Sequence, residues 1–195
     1  ENKKKKVIIF SDDLRMSSGV GTMTREIVMG TLSEYDWIQV GGAIKHPDAG
    51  KVVDMNNVVR KETGVEDANL KIFPVNGYGD PKILRYLLKN EKPDAVMIYT
   101  DPRFWTWLFQ MEHEIRQHIP IMYYNIWDDL PYPMWNQPYY ESCDLMMNIS
   151  KQTVNIVKNV RKNKPVTDTD NTYVPHGINE KYFFPIGEKD KVNLK

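Results

Sequence analysis

Short apolar runs rich in β-branched residues alternate along this chain with longer stretches whose apolar residues recur at helical spacing, and that alternation constrains the fold most. Residues 7–10, Val-Ile-Ile-Phe, are apolar without interruption, as a strand covered on both faces must be; a strand with one wet face would alternate. From about Gly19, the residues Val20, Met23, Ile27, Val28 and Leu32 fall on one stripe with Arg25 and Glu26 off it, which predicts an amphipathic helix. Further strands are expected at 37–44, 70–75, 95–100, 119–124 and 145–149, with a last short one at 173–174. Asp80-Pro81 and Asp101-Pro102 each supply a cap followed by a proline at the first helical position, so helices are expected from 81 to just before Pro93 and from 102 to about Gln117. Ser150 caps another, with Val154, Val157 and Val160 inward. Residues 45–69 are the least regular: Val52-Val53 and Val58-Val59 suggest a short strand or hairpin, punctuated by Gly50 and Gly64. The whole predicts one α/β domain built on a doubly wound, mostly parallel sheet.

A length of 195 residues suits one such domain and is short for two. The 26 basic and 26 acidic residues cancel, which removes any global electrostatic case for nucleic acid or an anionic membrane. The basic run at 3–6 precedes the first strand and reads as a solvated leader. A single cysteine, Cys143, rules out an internal disulfide framework, suits a reducing cytoplasm and reads as a small core residue. No stretch approaches the ~20 apolar residues that span a bilayer, so no transmembrane segment is expected, while a peripheral membrane contact stays open.

In an open parallel sheet, ligands bind outside the carboxyl ends of the strands, so the loops there carry the functional expectations. In the first, Ser17-Ser18-Gly19-Val20-Gly21-Thr22 opens a helix whose free N–H groups and dipole favour an anion, and whose glycines allow close approach; the same glycines would also serve a tight turn alone. The loop is long for a dinucleotide fingerprint, Thr24 stands at the third glycine position, and the second strand ends in Gly41-Gly42 with no acidic residue for a ribose, so NAD binding scores poorly. In the loop at 125–135, Asn125, Trp127, Asp128, Asp129 and Trp135 combine aromatic faces for sugar rings with carboxylates and an amide for hydroxyls. Trp105 and Phe109, at helical spacing, are assigned to packing. Asp12, Asp13, Asp101, Asp128 and Asp129 all lie near strand ends, but Asp101 is explained as a cap, and His46, His113, His118 and His176 show no ligand spacing, so no metal is expected. No serine, cysteine or paired-glutamate catalytic arrangement is evident.

Tyr173-Val174-Pro175-His176-Gly177-Ile178-Asn179, followed by Phe183 and Pro185, resembles the segment that ends the N-terminal domain of family 4 retaining glycosyltransferases of GT-B fold. Three further stretches agree in the family's order: residues 18–26 resemble the glycine loop and first helix, residues 119–128 the strand leading to a His-Asp pair, and residues 143–153 the A-D-x-x-x-x-x-S-x-x-T run. Trp127 stands where the family has histidine, and Ser18-Gly19 where it has two glycines. The resemblance implies a Rossmann-like N-terminal, acceptor-side domain over 1–185 and the start of an interdomain linker over 186–195. The donor-binding C-terminal domain would be a partner from the same protein, without which this chain would be inactive. It implies transfer of a hexosyl-type sugar from a nucleotide-sugar donor to a carbohydrate or glycoconjugate acceptor with retention, with no cofactor or required metal. By the same resemblance Ser18, Gly19, Gly21 and Thr22 form the donor-phosphate loop, Asp128 and Asn125 are the catalytic candidates, Trp127, Asp129 and Trp135 meet the acceptor or sugar, and His176-Gly177 form the cleft floor. The alternative is a non-catalytic carbohydrate- or nucleotide-binding module of the same fold.

Overall fold

The computed structural model describes residues 3–43, 45–164 and 166–187. Among them run β1 (Lys5–Asp12), α1 (Gly19–Gly30), β2 (Tyr35–Gly42), β3 (Val53–Asp54), α2 (Asn56–Thr63), β4 (Leu70–Pro74), α3 (Pro81–Glu91) and β5 (Ala95–Tyr99). A 3-10 turn (Pro102–Trp105), α4 (Thr106–Phe109), α5 (Glu112–Arg116), β6 (Ile121–Asn125), α6 (Gln137–Glu141), β7 (Leu145–Asn148), α7 (Lys151–Val160) and β8 (Asn171–Tyr173) follow. The eight strands form one sheet in the order β3-β4-β2-β1-β5-β6-β7-β8. Every pairing is parallel except β3 with β4. This is the doubly wound α/β architecture that the alternation of strand and helix predicts. The chain winds outward from β1 through β2 to β4, then returns to the other side of β1 at β5. The strand order therefore reverses between β1 and β5, where such sheets open a crevice at their carboxyl ends.

Two apolar layers cover the sheet. On one face Ile8, Phe10, Val96, Ile98 and Tyr123 meet Leu84 and Leu87 of α3, Leu108 of α4, Ile115 of α5, Tyr140 of α6 and Val157 of α7. Cys143 lies fully buried in this layer, and Trp105 and Phe109 pack there as expected. On the other face Ile9, Trp37, Ile72 and Met97 meet Val28 of α1 and Val59 of α2. The expected caps are in place: Asp80 accepts from the N–H groups of Lys82 and Ile83, Asp101 from Arg103, and Ser150 from Thr153.

Three expectations need correction. Val58-Val59 belong to α2 and form no strand; of the expected strand or hairpin only the two-residue β3 exists. Asp54 Oδ1 accepts from Asn56 N at 2.8 Å and Asn56 Oδ1 accepts from Leu70 N at 2.8 Å, so these side chains anchor the start of a helix that Gly64 ends in the left-handed region. The helix expected over 102–117 is broken into three pieces, because bonds such as Met111 N to Leu108 O (2.9 Å) and Glu114 N to Met111 O (3.0 Å) close tighter turns between them. Finally, β2 runs two residues earlier than expected and stops at Gly42, where Ala43 turns to φ +72; Ile44, Glu1, Asn2, Pro165 and residues 188–195, which include most of the expected linker over 186–195, lie outside the described residues.

Truncating Leu84, fully buried on α3, is expected to cost about 2–5 kcal/mol in denaturant unfolding. Val58→Ala is expected to leave stability unchanged or raise it by a few tenths of a kcal/mol, because alanine is the better helix former at this exposed position; a clear loss would mean that Val58 sits in a strand after all.

Candidate functional site

The carboxyl end of β1 is built from polar side chains with almost no exposure. Asp13 is fully buried and held by Arg15 in a fork, Nε to Oδ1 at 2.9 Å and Nη2 to Oδ2 at 2.8 Å, with Arg15 N also donating to Oδ1 at 2.9 Å. Burial pushes the Asp13 carboxyl up, but the hydrogen bonds and charge of Arg15 together outweigh it and hold the group below the usual carboxylate range. A Cβ at Gly41 would lie 2.7 Å from Asp13 Oδ2, and one at Gly42 would lie 2.5 Å from Gly77 O. The Gly41-Gly42 pair therefore has a steric reason. One glycine makes room for Asp13, and the other lets the turn before α3 dock and lay Tyr78 over the edge of the sheet. The sequence reading recorded these glycines only as a missing ribose ligand.

Asp12, 8 % exposed, accepts from Ser18 Oγ at 3.1 Å, and Ser18 Oγ in turn accepts from Gly21 N at 2.9 Å as the cap of α1. A Cβ at Gly21 would strike Met16 O at 2.6 Å and Asp13 O at 2.9 Å, so the loop itself requires this glycine. A Cβ at Gly19 would meet nothing within 4 Å. Thr22 N is satisfied by Ser18 O at 2.9 Å, while the N–H groups of Gly19 and Val20, in the first turn, have no intrahelical partner. Across the switch point Thr100 carries φ +115, a costly conformation for a β-branched residue, with its carbonyl accepting from Tyr123 Oη at 2.7 Å.

The loop after β6 is ordered by internal bonds. Asn125 is buried beneath it: its Oδ1 accepts from Trp127 N at 3.1 Å and its Nδ2 donates to Asn148 Oδ1 at 3.4 Å. Asn148 continues to Asn171 at 2.8 Å, so a ladder of asparagines crosses β6, β7 and β8 inside the sheet. Trp127 Nε1 donates to Asp129 O, Thr153 Oγ1 to Trp127 O and Gln152 Nε2 to Asp128 O, which leaves the Asp128 and Asp129 side chains exposed. Trp135 stands edge-on to Trp127 at 5.9 Å. His176 stacks on Tyr124 at 5.6 Å, and partial burial pushes its imidazole below the usual histidine range. A Cβ at the adjacent Gly177 would meet open space.

The structure thus gathers Ser18, Gly19, Gly21 and Thr22 at one helix start. It places Asp128, Asp129, Trp127 and Trp135 on one loop, and His176-Gly177 beyond the end of β8. The sequence reading missed Tyr78, stacked on Phe104 at 4.4 Å, because the contact joins loops after two different strands. Among the described residues no three His, Cys, Asp or Glu side chains gather as metal ligands would, and no helix is long and apolar enough to cross a membrane. An apolar groove of about 480 Å³ runs along Met97, Met122 and Met147 on the sheet face, but it offers little polar chemistry and lies on the face rather than at the carboxyl edge.

The fold and site together define a doubly wound α/β domain with a capped helix start at its topological switch point. No protein-family model matches the sequence, and no curated protein does. A solved α-glucosyltransferase, in complex with UDP and a 13-mer DNA containing a HMU base, aligns with a TM-score of 0.46 at 12% identity over 76% of this chain and 37% of that one. The chain therefore spans little more than a third of that protein's length, and a likeness this distant assigns no function.

Burial pushes the Asp12 carboxyl above the usual carboxylate range, against the lowering effect of the Ser18 hydrogen bond. Its folded pKa thus exceeds the unfolded one, so the group favours folding below the unfolded value and that contribution is lost as pH rises through the raised pKa. Asp12→Asn is expected to raise Tm at neutral pH and leave it nearly unchanged at about pH 3; the same shift at both would show that ionised Asp12 carries no folding penalty.

Proposed function

We propose that this chain is the acceptor-side domain of a retaining glycosyltransferase that uses a nucleotide-sugar donor. The observation that carries the reading is the start of α1 at the switch point, where Ser18 caps the helix, Gly19 is exposed with open space where a side chain would lie, and the first-turn N–H groups of Gly19 and Val20 have no intrahelical partner. A diphosphate fits there: the N–H groups and helix dipole would stabilise the negative charge that grows as the sugar leaves. The resemblance at residues 173–185 and the order of the other three stretches support a family 4 reading. Gly21 and Thr22 support the loop, Asp128 and Asp129 offer carboxylates to sugar hydroxyls, and Asn125 is the positioning residue that holds Trp127. His176, its imidazole held below the usual histidine range by partial burial, and Gly177 line the floor.

Ile178, Tyr182, Phe183 and Phe184 are each at least two-thirds exposed, an apolar run that a second, donor-binding domain of the same protein would cover. In this reading the described domain alone transfers no sugar. The acceptor is a carbohydrate or glycoconjugate, no metal or other cofactor takes part, and the single cysteine, Cys143, suits a cytoplasmic setting.

The test is release of nucleoside diphosphate by the full-length gene product from a panel of uridine, guanosine and adenosine diphosphate sugars. Gly19→Val is expected to fold, since its Cβ meets open space, and to lose at least about 100-fold in donor turnover by blocking the N–H groups. Turnover equal to wild type would remove the phosphate loop from the site, and binding without turnover of any donor would leave the non-catalytic module.

A further inference from the structure

A line of flat side chains runs along the carboxyl edge, from the loop after β4 to the loop after β6. Tyr78 stacks on Phe104 with ring centroids 4.4 Å apart and planes 5° from parallel. The preceding residue in the chain, Arg103, is held by Asp101 through Nε at 3.0 Å, and its guanidinium lies 6.0 Å from the Trp127 ring centre. Trp127 meets Trp135 at 5.9 Å. The line ends at an open cleft of about 530 Å³ bordered by Trp135 and by polar Gln110, Glu112, His113 and Glu141.

Phe104 and Trp135 are 46 % and 55 % exposed, unusual for such large apolar groups. Their loops are not loose. Thr106 Oγ1 bonds to Arg103 O at 2.9 Å, Asn155 Nδ2 reaches Tyr132 Oη at 3.4 Å, and the Trp127 indole N–H is committed to Asp129 O at 3.1 Å. Two exposed rings, with the half-buried Trp127 between them and loops fixed by these bonds, offer faces to a chain of flat units. At the inner end, burial and the charges of Asp12 and Asp101 raise the Tyr78 hydroxyl above the usual phenol range.

We propose that this row is a track for a glycan chain. Successive sugar rings would lie on Phe104, the exposed part of Trp127 and Trp135, with the inner end of the chain beside Tyr78. That the glycan is the acceptor rests on the transferase reading; the track as a carbohydrate site does not. A single-stranded nucleic acid also stacks on aromatic rows, but it brings a phosphate on every unit and calls for a basic groove. Here Arg103 is matched by Asp101, and the exposed Asp128 and Asp129 side chains flank Trp127. Those carboxylates repel a polyanion and accept hydrogen bonds from a polyol.

The experiment follows tryptophan fluorescence of the full-length gene product with maltohexaose, cellohexaose, chitohexaose and mannohexaose, with the matching single sugars, and with a twelve-residue oligothymidylate. At least one hexaose is expected to bind about tenfold or more tighter than its own monosaccharide, and Trp135→Ala or Phe104→Ala to remove about tenfold or more of that affinity at unchanged circular dichroism. Trp135, already more than half exposed, keeps the test valid if Phe104→Ala perturbs the Tyr78 stack. Hexaoses that bind no better than monosaccharides, variants that bind as well as wild type, or oligothymidylate binding in place of glycan binding would each overturn the track. Glycan binding with no donor turned over would sink the transferase reading and leave the track standing; donor turnover without glycan binding would do the reverse.

Discussion

β1 is paired in parallel on both edges, with β2 along all eight of its residues and with β5 over Val7 to Phe10. Six of those eight residues are buried, so the strand can be neither shifted nor exposed without emptying both apolar layers. The rest of the molecule is arranged around that constraint. The chain leaves β1 towards β2 and comes back to it at β5, and the place where it comes back is where backbone N–H groups, carboxylates and aromatic rings converge.

The polar end of β1 shows how such a site is made without being solvent-filled. Asp13 is charged, fully buried and tolerable only because the Arg15 fork satisfies it and Gly41 leaves it room. Asp12, one residue earlier, has a single hydrogen bond from Ser18 and shifts in the opposite direction. Two adjacent carboxylates thus shift in opposite directions because one has a cation and the other has only a hydroxyl. The ordered loop after β6 follows the same logic. Its acidic side chains and Trp135 are exposed while Trp127 packs against the core, and the Asn125–Asn148–Asn171 ladder and the α7 side chains Gln152 and Thr153 occupy its backbone groups.

Much of this was legible from residue order. The uninterrupted apolar run at residues 7–10, the Asp-Pro helix starts and the stripe from Val20 to Leu32 are local signals, each set by groups within a few residues of one another. Val58-Val59 misled because a β-branched pair says nothing about direction of burial, and the deciding bonds come from Asp54, Asn56 and Leu70. The break at Gln110 and Met111 was hidden for a similar reason: the spacing of Trp105, Leu108, Met111 and Ile115 is helical, but their fit against the sheet tightens the turns between them.

By itself the sequence determined the fold class, the starts of α1, α3 and α7 and the short list of loops in which chemistry could occur, because backbone preferences and apolar periodicity act over a few residues. Tertiary structure alone decided which of those loops meet. Tyr78 and Phe104 are 26 positions apart and stack because Gly42 admits the turn that carries Tyr78. Asn125 carries an amide suited to a sugar, yet its register opposite Asn148 buries it and turns it into a support for Trp127. Strand order and register are collective outcomes of burying both faces of one sheet, and no local run of residues contains them.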